Sequence, residues 1–216
     1  KRGVYEKALQ NIFMQAGVES GKTILELGSG SGVLKELSGD VSRKSQWISL
    51  DQVQFSASEP QVVGSAQRIP FPNESFDVVT FFDVLYHKGI DEKRALFEAF
   101  RVLKQNGVLC ITDCALPWLW SKHDVIMEAK YRYTKTKLSS FVLQAGFSID
   151  RCEYIFTSVF LFFICSRFFQ PSPHKLARLP LFFNNLLVLL LRSETFLPWG
   201  FPRPFGSSIL ILAHKQ

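Results

Sequence analysis

The sequence lacks the closely spaced cysteines and histidines of a structural metal site. Its four cysteines, Cys110, Cys114, Cys152 and Cys165, are scattered, with no Cys-x-x-Cys pair and no histidine at ligand spacing. Three of them fall within apolar runs. We therefore predict reduced, buried thiols of the kind found in cytoplasmic proteins, and no bound metal.

The chain also lacks a long uninterrupted apolar segment. Hydrophobic residues make up 47% of it, including 21 Phe. Two apolar stretches, 155–169 and 179–191, are nevertheless shorter than the roughly 20 residues that cross a bilayer, and arginines interrupt or border them. Residues 1–15 carry charges at helical spacing and have no apolar signal core. We therefore expect neither a secretion signal nor a transmembrane helix, and a cytoplasmic location.

The net positive charge of the chain is absent from its first half and belongs to the second, where acidic residues are few. Residues 1–115 hold 13 Lys and Arg against 14 Asp and Glu, whereas residues 116–216 hold 12 against 5. No nucleic-acid-binding motif accompanies this charge, so we expect no nucleic-acid partner. Basic and aromatic residues together favour an apolar substrate with an acidic group, or peripheral contact with an anionic membrane.

Apolar strand-like runs alternate with helical segments, which is typical of a doubly wound α/β fold. Predicted strands cover 23–27, 47–50, 61–63, 76–82, 108–112, 147–154 and 208–213, and predicted helices cover 5–16, 32–37, 91–104 and 134–144. In helix 91–104 we expect Leu96, Phe97, Phe100 and residues 102–103 to face inward, with residues 106–107 ending the helix. The predicted organisation is an α/β core (1–154), a hydrophobic helical insertion (155–205) and a returning last strand (206–216).

A glycine-rich turn, Glu26-Leu-Gly-Ser-Gly-Ser-Gly32, follows the first predicted strand and enters a helix. Glycines at this place let a ligand approach the backbone closely. A dinucleotide-binding loop counted from Gly28 and Gly30 would need glycine at position 33, where Val33 stands. Glu26 would repel a pyrophosphate, but it could hold an ammonium group. These residues disfavour the alternative of a nicotinamide-dependent oxidoreductase.

Asp51 ends the second predicted strand. The carboxyl ends of parallel strands meet at one crevice, so Asp51 is placed to accept hydrogen bonds from both hydroxyls of a ribose. S-adenosylmethionine carries a ribose and an ammonium group and has no phosphate. Glu26, the glycines and Asp51 therefore favour this ligand.

Several motifs resemble those of the class I S-adenosylmethionine-dependent methyltransferases: Glu26–Gly32, Asp51, the run 64–79 and the run 101–107. The resemblance covers about residues 20–150. It implies a Rossmann-like, seven-stranded, mostly parallel sheet with an antiparallel last strand and helices on both faces. It also implies methyl transfer that leaves S-adenosylhomocysteine as product. The predicted cofactor contacts are Glu26, Gly28, Ser29, Gly30, Gly32, Asp51, Gln52, Ser65, Ala66, Gln67 and Phe82.

One position departs from the family pattern on the adenine side. The family commonly has Asp where Ser65 stands. The resemblance therefore implies an adenine contact that relies on the backbone N–H of Ala66 or Gln67.

Methyl transfer from a sulfonium requires alignment of the acceptor, and a base when the acceptor is a hydroxyl. Asp83, Tyr86 and His87 follow the fourth strand and should rim the crevice. We predict His87 and His123 as candidate catalytic bases; the alternative for His87 is a histidine that only caps carbonyl groups in a turn. The aromatic-rich loop after the fifth strand is a predicted substrate lid. The predicted substrate contacts are Tyr86, Trp118, Trp120, Tyr131, Arg132 and Tyr133.

This loop resembles a subgroup of these methyltransferases with a Pro-Trp-Leu-Trp, His-Asp, Gly-His, Arg-Arg-Tyr-Thr pattern, often encountered among genes for glycan, lipid or secondary-metabolite assembly. Here Glu128-Ala129 replaces Gly-His and Tyr131 replaces the first Arg. Any role of the pattern's second histidine therefore does not carry over.

The function that we predict is methylation of a small hydrophobic or lipid-linked acceptor, on oxygen in preference to nitrogen or carbon. Two alternatives remain open: the nicotinamide-dependent oxidoreductase, and a non-catalytic cofactor-binding or membrane-associated protein. The insertion 155–205 could pack on the sheet, line an apolar pocket or lie in a membrane interface. The sequence gives no indication of oligomeric state.

Overall fold

In a computed structural model, the structure describes residues 20–54, 61–158, 160, 164, 189 and 203–216. Its strands are β1 (Thr23–Leu27), β2 (Gln46–Asp51), β3 (Gln61–Val63), β4 (Phe76–Phe82), β5 (Leu103–Cys114), β6 (Phe147–Ile155) and β7 (Ser208–Lys215). Its helices are α1 (Val33–Leu37), α2 (Asp40–Arg43), α3 (Glu92–Val102), α4 (Lys122–Ile126) and α5 (Lys135–Gln144), with a 3₁₀ turn at Pro117–Leu119. The predicted helix 5–16, Cys165 and most of the insertion 155–205 lie outside the described residues.

The seven strands form one sheet in the order β3-β2-β1-β4-β5-β7-β6. Strands β1 to β5 pair in parallel, and β7 runs antiparallel to both of its neighbours, β5 and β6. The order reverses at β1, so the carboxyl ends of β1, β2 and β4 border one crevice. This sheet confirms the predicted class I arrangement with its antiparallel last strand.

Burial on both faces of the sheet accounts for the apolar residues of β1, within which Glu26 is a buried polar exception. Leu25 and Leu27 are buried in the large cluster on one face of the sheet, which includes Leu96 of α3. Ile24 is buried on the opposite face with Val41 of α2. A parallel strand covered on both faces has no polar side, and full burial of each such side chain contributes roughly 1.5–3 kcal/mol.

The predicted helix 91–104 is too long at its C-terminal end. Helix α3 ends at Val102, and Leu103 already belongs to β5. Residues 106–107 therefore lie within β5 and do not end the helix. Asn106 has φ 61°, and a Cβ on Gly107 would lie 2.8 Å from the carbonyl oxygen of Lys104. Glycine at 107 thus permits a tight bend in the strand, a use of Asn-Gly that resembles a helix stop in sequence.

The predicted inward orientation of Phe97 is wrong. Its side chain is 65% exposed, whereas Leu96 is buried. Successive helix residues point about 100° apart, and the buried face is centred on Ala95, Ala99 and Val102, so Phe97 points away from it. Phe100 does face inward, where its ring packs edge-on against Phe147 with the centroids 5.1 Å apart.

Helix α5 has the predicted limits. The side chain of Thr134 accepts the N–H of Lys137 at 3.2 Å as an N-cap, and Gly146 follows the helix with φ 100°. Cys110, Cys114 and Cys152 are free thiols. In the part of the chain that the structure describes, no helix is both long enough and apolar enough to span a bilayer.

Candidate cofactor and acceptor site

The glycine-rich turn after β1 is anchored to the end of β2. The carbonyl oxygen of Leu50 accepts the N–H groups of Gly28 and Ser29 at 2.8 and 3.2 Å. Gly28, Gly30 and Gly32 all have positive φ, between 52° and 79°, which residues with a side chain rarely adopt. The turn therefore depends on glycine at each of these positions, as the sequence predicted, and Gly32 caps α1.

Glu26 lies beneath this turn and is almost completely buried, with 3% of its surface exposed. Its Oε2 accepts hydrogen bonds from Trp47 Nε1 at 2.9 Å and from Ser49 Oγ at 3.0 Å. Within the described residues, Oε1 accepts none. Burial raises the pKa of Glu26 to about 7, against the lowering effect of its two donors. An ammonium group at Oε1 would favour the ionised form and supply the missing donor.

Asp51 organises the turn from the neighbouring strand. Its Oδ2 accepts the N–H of Gly30 at 2.8 Å, and its Oδ1 accepts the N–H of Val53 at 3.2 Å. Each carboxylate oxygen has a second lone pair, so Asp51 can still accept bonds from two ribose hydroxyls. Gln52 follows it and is exposed at the same edge.

Gln61 supports the turn from β3, which the sequence analysis missed. Its Nε2 donates to Ser29 Oγ at 2.6 Å and to the carbonyl oxygen of Gly30 at 3.3 Å. The sequence feature that could have indicated this role of Gln61 is its position at the start of a short strand next to β2. Ser29 is thereby held within the structure, and its hydroxyl is already engaged.

The predicted adenine contacts differ in whether their polar groups are already hydrogen-bonded within the protein. Ser65 Oγ accepts the N–H of Gln67 at 3.2 Å. The side chain of Gln67 bridges to the next loop, donating to Gly89 O at 2.9 Å and accepting from Asp91 N–H at 3.2 Å. The N–H of Ala66 donates to no acceptor among the described residues. Of the two predicted backbone donors, Ala66 is the one that remains for adenine.

These residues fit S-adenosylmethionine in two respects. Glu26 offers a carboxylate oxygen to an ammonium group, and Asp51 offers oxygens to a ribose. The side chain of Val84 fills the space that a Cβ would occupy at Gly28, so the turn is tightly supported from below. Phe82, at the end of β4, is partly buried against the apolar cluster that contains Leu34 of α1.

Two aspartates lie side by side on the acceptor side of the crevice. Asp83 follows β4 and Asp113 lies near the end of β5; a carboxylate oxygen of each, together with Cys114 Sγ, lies within 4.8 Å of the others. Asp83 opens to the crevice, yet the protein around it desolvates the carboxyl and raises its pKa to about 6, while Arg132 lowers it. Burial, reinforced by Asp83, raises the pKa of Asp113 well above its ordinary value.

Asp113 was missed by the sequence analysis, which placed Asp83 at the rim without assigning it chemistry. The pair could have been predicted by aligning the ends of the predicted fourth and fifth strands. Phe82 and Thr112 are register partners, so the residues that follow them are neighbours.

The two predicted histidine bases lie in different surroundings. His87 is half-buried, and the centroid of its ring lies 4.2 Å from that of Tyr86. The backbone N–H of His87 donates to the carbonyl oxygen of Val84 at 3.2 Å. The backbone of His87 also pairs with that of Ala129, the position at which the resembling loop pattern has histidine. His123 lies exposed on α4. Their catalytic roles stay predictions.

Arg132 and Tyr133, two predicted substrate contacts, have their polar ends engaged inside the protein. Arg132 is buried and pairs with Asp124, with its Nη2 2.8 Å from Oδ1, and its Nη1 donates to Ala115 O at 2.9 Å. The hydroxyl of Tyr133 donates to Leu85 O at 2.9 Å. Both side chains thus fix the loop over the strand ends.

The buried Glu92 interacts with the end of this loop, at residues 130–133. It accepts hydrogen bonds from Lys130 Nζ at 2.8 Å and from the hydroxyl of Tyr131. The hydroxyl oxygen of Tyr133 lies 3.0 Å from Glu92 Oε1, so its single proton has Leu85 O and Glu92 as alternative acceptors. Helical periodicity could not indicate this role, because an acidic residue in the first turn of a helix is usually solvated.

The remaining predicted substrate contacts differ in exposure. Trp118 and Trp120 are 61% and 43% exposed, whereas Tyr86 is buried. The ring of Trp118 packs edge-on against Phe160, with the centroids 5.9 Å apart. Of the two tryptophans, Trp118 is thus the one that reaches back to the chain beyond β6.

Residues 25–111 match the family described as a methyltransferase domain. The chain is 32% identical over 99 residues to a probable S-adenosylmethionine-dependent methyltransferase of Mycolicibacterium smegmatis, covering 43% of this chain and 38% of that protein. It is 26% identical over 117 residues to the ubiquinone/menaquinone biosynthesis C-methyltransferase of Vibrio vulnificus, covering 47% and 45%. The chain thus spans less than half the length of these curated relatives.

The fold is also that of solved methyltransferases. The crystal structure of geranyl diphosphate C-methyltransferase from Streptomyces coelicolor A3(2) is similar, with a TM-score of 0.66 and 13% identity, covering 98% of this chain and 81% of that one. The sheet order, the glycine turn and the family match lead to one assignment. Residues 25–111 match a methyltransferase domain, and the sheet has the fold of the class I S-adenosylmethionine-dependent methyltransferases.

Proposed function

We propose that the protein binds S-adenosylmethionine in the crevice at the ends of β1 to β4 and methylates a small hydrophobic or lipid-linked molecule. The observation that carries the proposal is the pair of carboxylates on either side of the glycine turn. Glu26 is buried with one oxygen available, and Asp51 is bonded to the turn itself. Together they match the two polar ends of the methionyl-ribose part of the cofactor.

The cofactor supplies an electrophilic methyl group, and the chain's own residues do the rest. Glu26 holds the ammonium group, Asp51 the ribose, and the N–H of Ala66 the adenine edge. The acceptor lies between the ends of β4 and β5 and the loop 115–134, which the Arg132–Asp124 pair holds in place. The loop carries the exposed rings of Trp118 and Trp120, which suit a hydrophobic acceptor.

For the acceptor atom we propose oxygen, with carbon as the second candidate. An oxygen acceptor fits a site with titratable groups at its rim, because a hydroxyl must lose a proton as it is methylated. A carbon acceptor is favoured by the sequence relative that is named a C-methyltransferase. For either atom the protein must align the acceptor with the methyl group and remove a proton from the acceptor.

Calorimetric titration with three ligands tests the cofactor assignment. S-adenosylhomocysteine contains the amino-acid part, 5′-methylthioadenosine lacks it, and NAD represents the oxidoreductase alternative. We expect binding of the first two and none of NAD. Glu26→Gln should weaken S-adenosylhomocysteine about tenfold and leave methylthioadenosine unchanged, whereas Asp51→Ala should weaken both.

Binding of NAD alone would contradict the proposal, and equal effects of Glu26→Gln on both adenosyl ligands would contradict the placement of the ammonium group. Turnover is measured by transfer of a labelled methyl group into solvent-extractable lipids and small molecules. His87→Ala and His123→Ala are compared in that assay with cofactor affinity measured alongside. Unchanged turnover in both would remove histidine from the list of bases.

We also propose peripheral contact with a membrane for this cytoplasmic enzyme, without a nucleic-acid partner. A ten-residue stretch of the acceptor loop exposes five large apolar side chains: Trp118, Trp120, Val125, Ile126 and Met127. Lys122 and His123 are exposed in the same stretch. Exposed tryptophan beside positive charge suits the boundary between lipid headgroups and acyl chains.

A further inference from the structure

We infer that Asp83 is the catalytic base of this methyltransferase, and that the buried Asp113 beside it is a positioning residue. The inference rests on the proposed function and deepens it. It replaces the two histidines as bases with a carboxylate that the fold itself places at the acceptor side of the crevice.

The backbone directs Asp83 into the crevice. Its N–H donates to Thr112 O at 2.9 Å, which continues the β4–β5 pairing one residue beyond the strand. Its φ of 54° then turns the chain through the left-handed region, which costs a residue with a side chain roughly 1–2 kcal/mol. Such strain at a strand end is typical of functional positions. The next residue, Val84, touches Gly28 of the cofactor turn.

The order of the strands places Asp83 near the reacting end of the cofactor. Asp51 of β2 and Ala66 after β3 hold the adenosine, and Glu26 of β1 holds the ammonium group. The sulfur joins these two parts, and the next strand beyond β1 is β4. The methyl group can therefore be presented to the side of the crevice where Asp83 opens.

The second, independent observation concerns the side chain of Asp113. Its side chain is completely buried, and its Oδ2 has no hydrogen-bond partner in the described residues. Oδ1 accepts the N–H of Cys114 at 2.8 Å. Burial raises the pKa of Asp113 well above its ordinary value, against the lowering effect of the backbone N–H groups of Cys114, Leu85 and Tyr86. A carboxylate oxygen of Asp83 lies within 4.8 Å of a carboxylate oxygen of Asp113.

The groups facing Asp83 leave it titrating near neutral pH. Burial raises the pKa of Asp113 and that of the Cys114 thiol, which favours the uncharged form of both. Arg132 lowers the pKa of Asp83, but its charge is shared with Asp124. Burial also raises the pKa of Tyr86, which stays neutral; His87 stacks on that ring. The pKa of Asp83 is thereby about 6, and at pH 7 most of it is ionised and able to accept a proton.

The proposed step balances as follows. The Asp83 carboxylate accepts the proton of the acceptor O–H or C–H bond, and the electron pair of that bond forms the new bond to the methyl carbon. The carbon–sulfur bond breaks with its electron pair remaining on sulfur, which gives neutral S-adenosylhomocysteine. The proton on Asp83 then passes to solvent.

Proton release on ligand binding tests the inference without knowledge of the acceptor. S-adenosylmethionine and S-adenosylhomocysteine share the ammonium group, so protons that Glu26 loses are common to both. The two differ in the positive sulfonium. Calorimetry at pH 6 in buffers of different ionisation enthalpy gives the protons released by each ligand. We expect S-adenosylmethionine to release about half a proton more, because its charge lowers the pKa of a half-protonated Asp83.

Three further measurements sharpen the result. The difference should vanish at pH 8, where Asp83 is already ionised. It should be lost in Asp83→Asn and kept in Asp40→Asn, which makes the same change at an exposed aspartate of α2. In turnover, Asp83→Asn should lower kcat at least 100-fold with little change in cofactor affinity.

The inference is overturned if the two ligands release equal numbers of protons, or if the difference persists in Asp83→Asn. In both cases binding itself would still support the proposed function. Failure of either ligand to bind would instead defeat the proposed function.

Discussion

Val84 stands where a side chain at Gly28 would have to be: a Cβ built on Gly28 would lie 2.5 Å from Val84 Cγ2. The glycine-rich turn after β1 and the segment that carries Asp83 therefore touch directly. Glycine at 28 is required for two separate reasons, its φ of 69° and this contact.

Gly28→Ala should reduce stability by more than the conformational cost alone. We expect a loss of about 1 kcal/mol from the positive φ and a further 1–3 kcal/mol from the contact. Gly21→Ala is the matched control, because Gly21 has φ 89° and nothing within 4 Å of its Cβ position. Urea denaturation measures both, and Gly28→Ala/Val84→Ala should be less destabilised than the sum of its single variants. Additive effects would show that the contact costs nothing.

Glu26→Gln should change how stability depends on pH. The pKa of Glu26 rises from 4.5 to about 7 on folding, so the folded state keeps a proton that the unfolded state loses. The free energy of unfolding of the unaltered chain should therefore fall as pH rises from about 4.5 to 7, by on the order of 3 kcal/mol from this group. Above pH 7 the loss is complete.

The glutamine variant should lack this part of the decline, so the two stabilities should diverge between pH 5 and pH 8. Saturating S-adenosylhomocysteine should reduce the divergence, since its ammonium group compensates the buried charge. Parallel stability curves for the two chains would mean that Glu26 is not the titrating group.

The Arg132–Asp124 pair should be a stability determinant of the acceptor loop. Arg132→Met removes the cation that compensates the buried charge of Asp124, and we expect a loss of about 3–5 kcal/mol. Arg43→Met breaks the exposed pair with Asp40 and should cost less than about 1 kcal/mol. Denaturant unfolding compares them, and Arg132→Met/Asp124→Leu should recover much of the loss. A double variant no more stable than the single one would contradict this account.

The exposed apolar side chains should control membrane association. Trp118→Ser/Ile126→Ser should reduce co-sedimentation with vesicles of phosphatidylcholine and phosphatidylglycerol several-fold, and higher salt should weaken binding of the unaltered chain. Phe97→Ser is the control, because Phe97 is equally exposed but lies on α3. A chain that stays in the supernatant at low salt would remove the membrane proposal, and equal losses in all variants would remove this surface from it.

The sequence predicted the sheet well because its strands are short, apolar and bounded by turn residues. Thr23–Leu27, Gln61–Val63 and Phe76–Phe82 have the predicted limits. The boundary between α3 and β5 was missed because Leu103 suits a buried helix face and a buried strand equally. Only its pairing with Phe76 of β4, a contact distant in sequence, decides between them.

The cofactor half of the site was predictable and the acceptor half was not. Glu26, the glycines and Asp51 stand within or beside local motifs, so spacing alone locates them. Asp113 becomes visible only when β4 and β5 lie together. Arg132 resembled a substrate contact in an aromatic loop, and its pairing with Asp124 depends on how that loop folds back on itself.

The inner position of β7 has a consequence for the order of assembly. It lies between β5 and β6, although it is the last strand in sequence. As the chain leaves the ribosome, strands β1 to β5 can pair before residues 208–215 exist, and β6 has no neighbour until β7 arrives. The cofactor crevice thus belongs to the part of the sheet that can form first, while the far edge closes last and exposes the unpaired edges of β5 and β6 to aggregation in the interval.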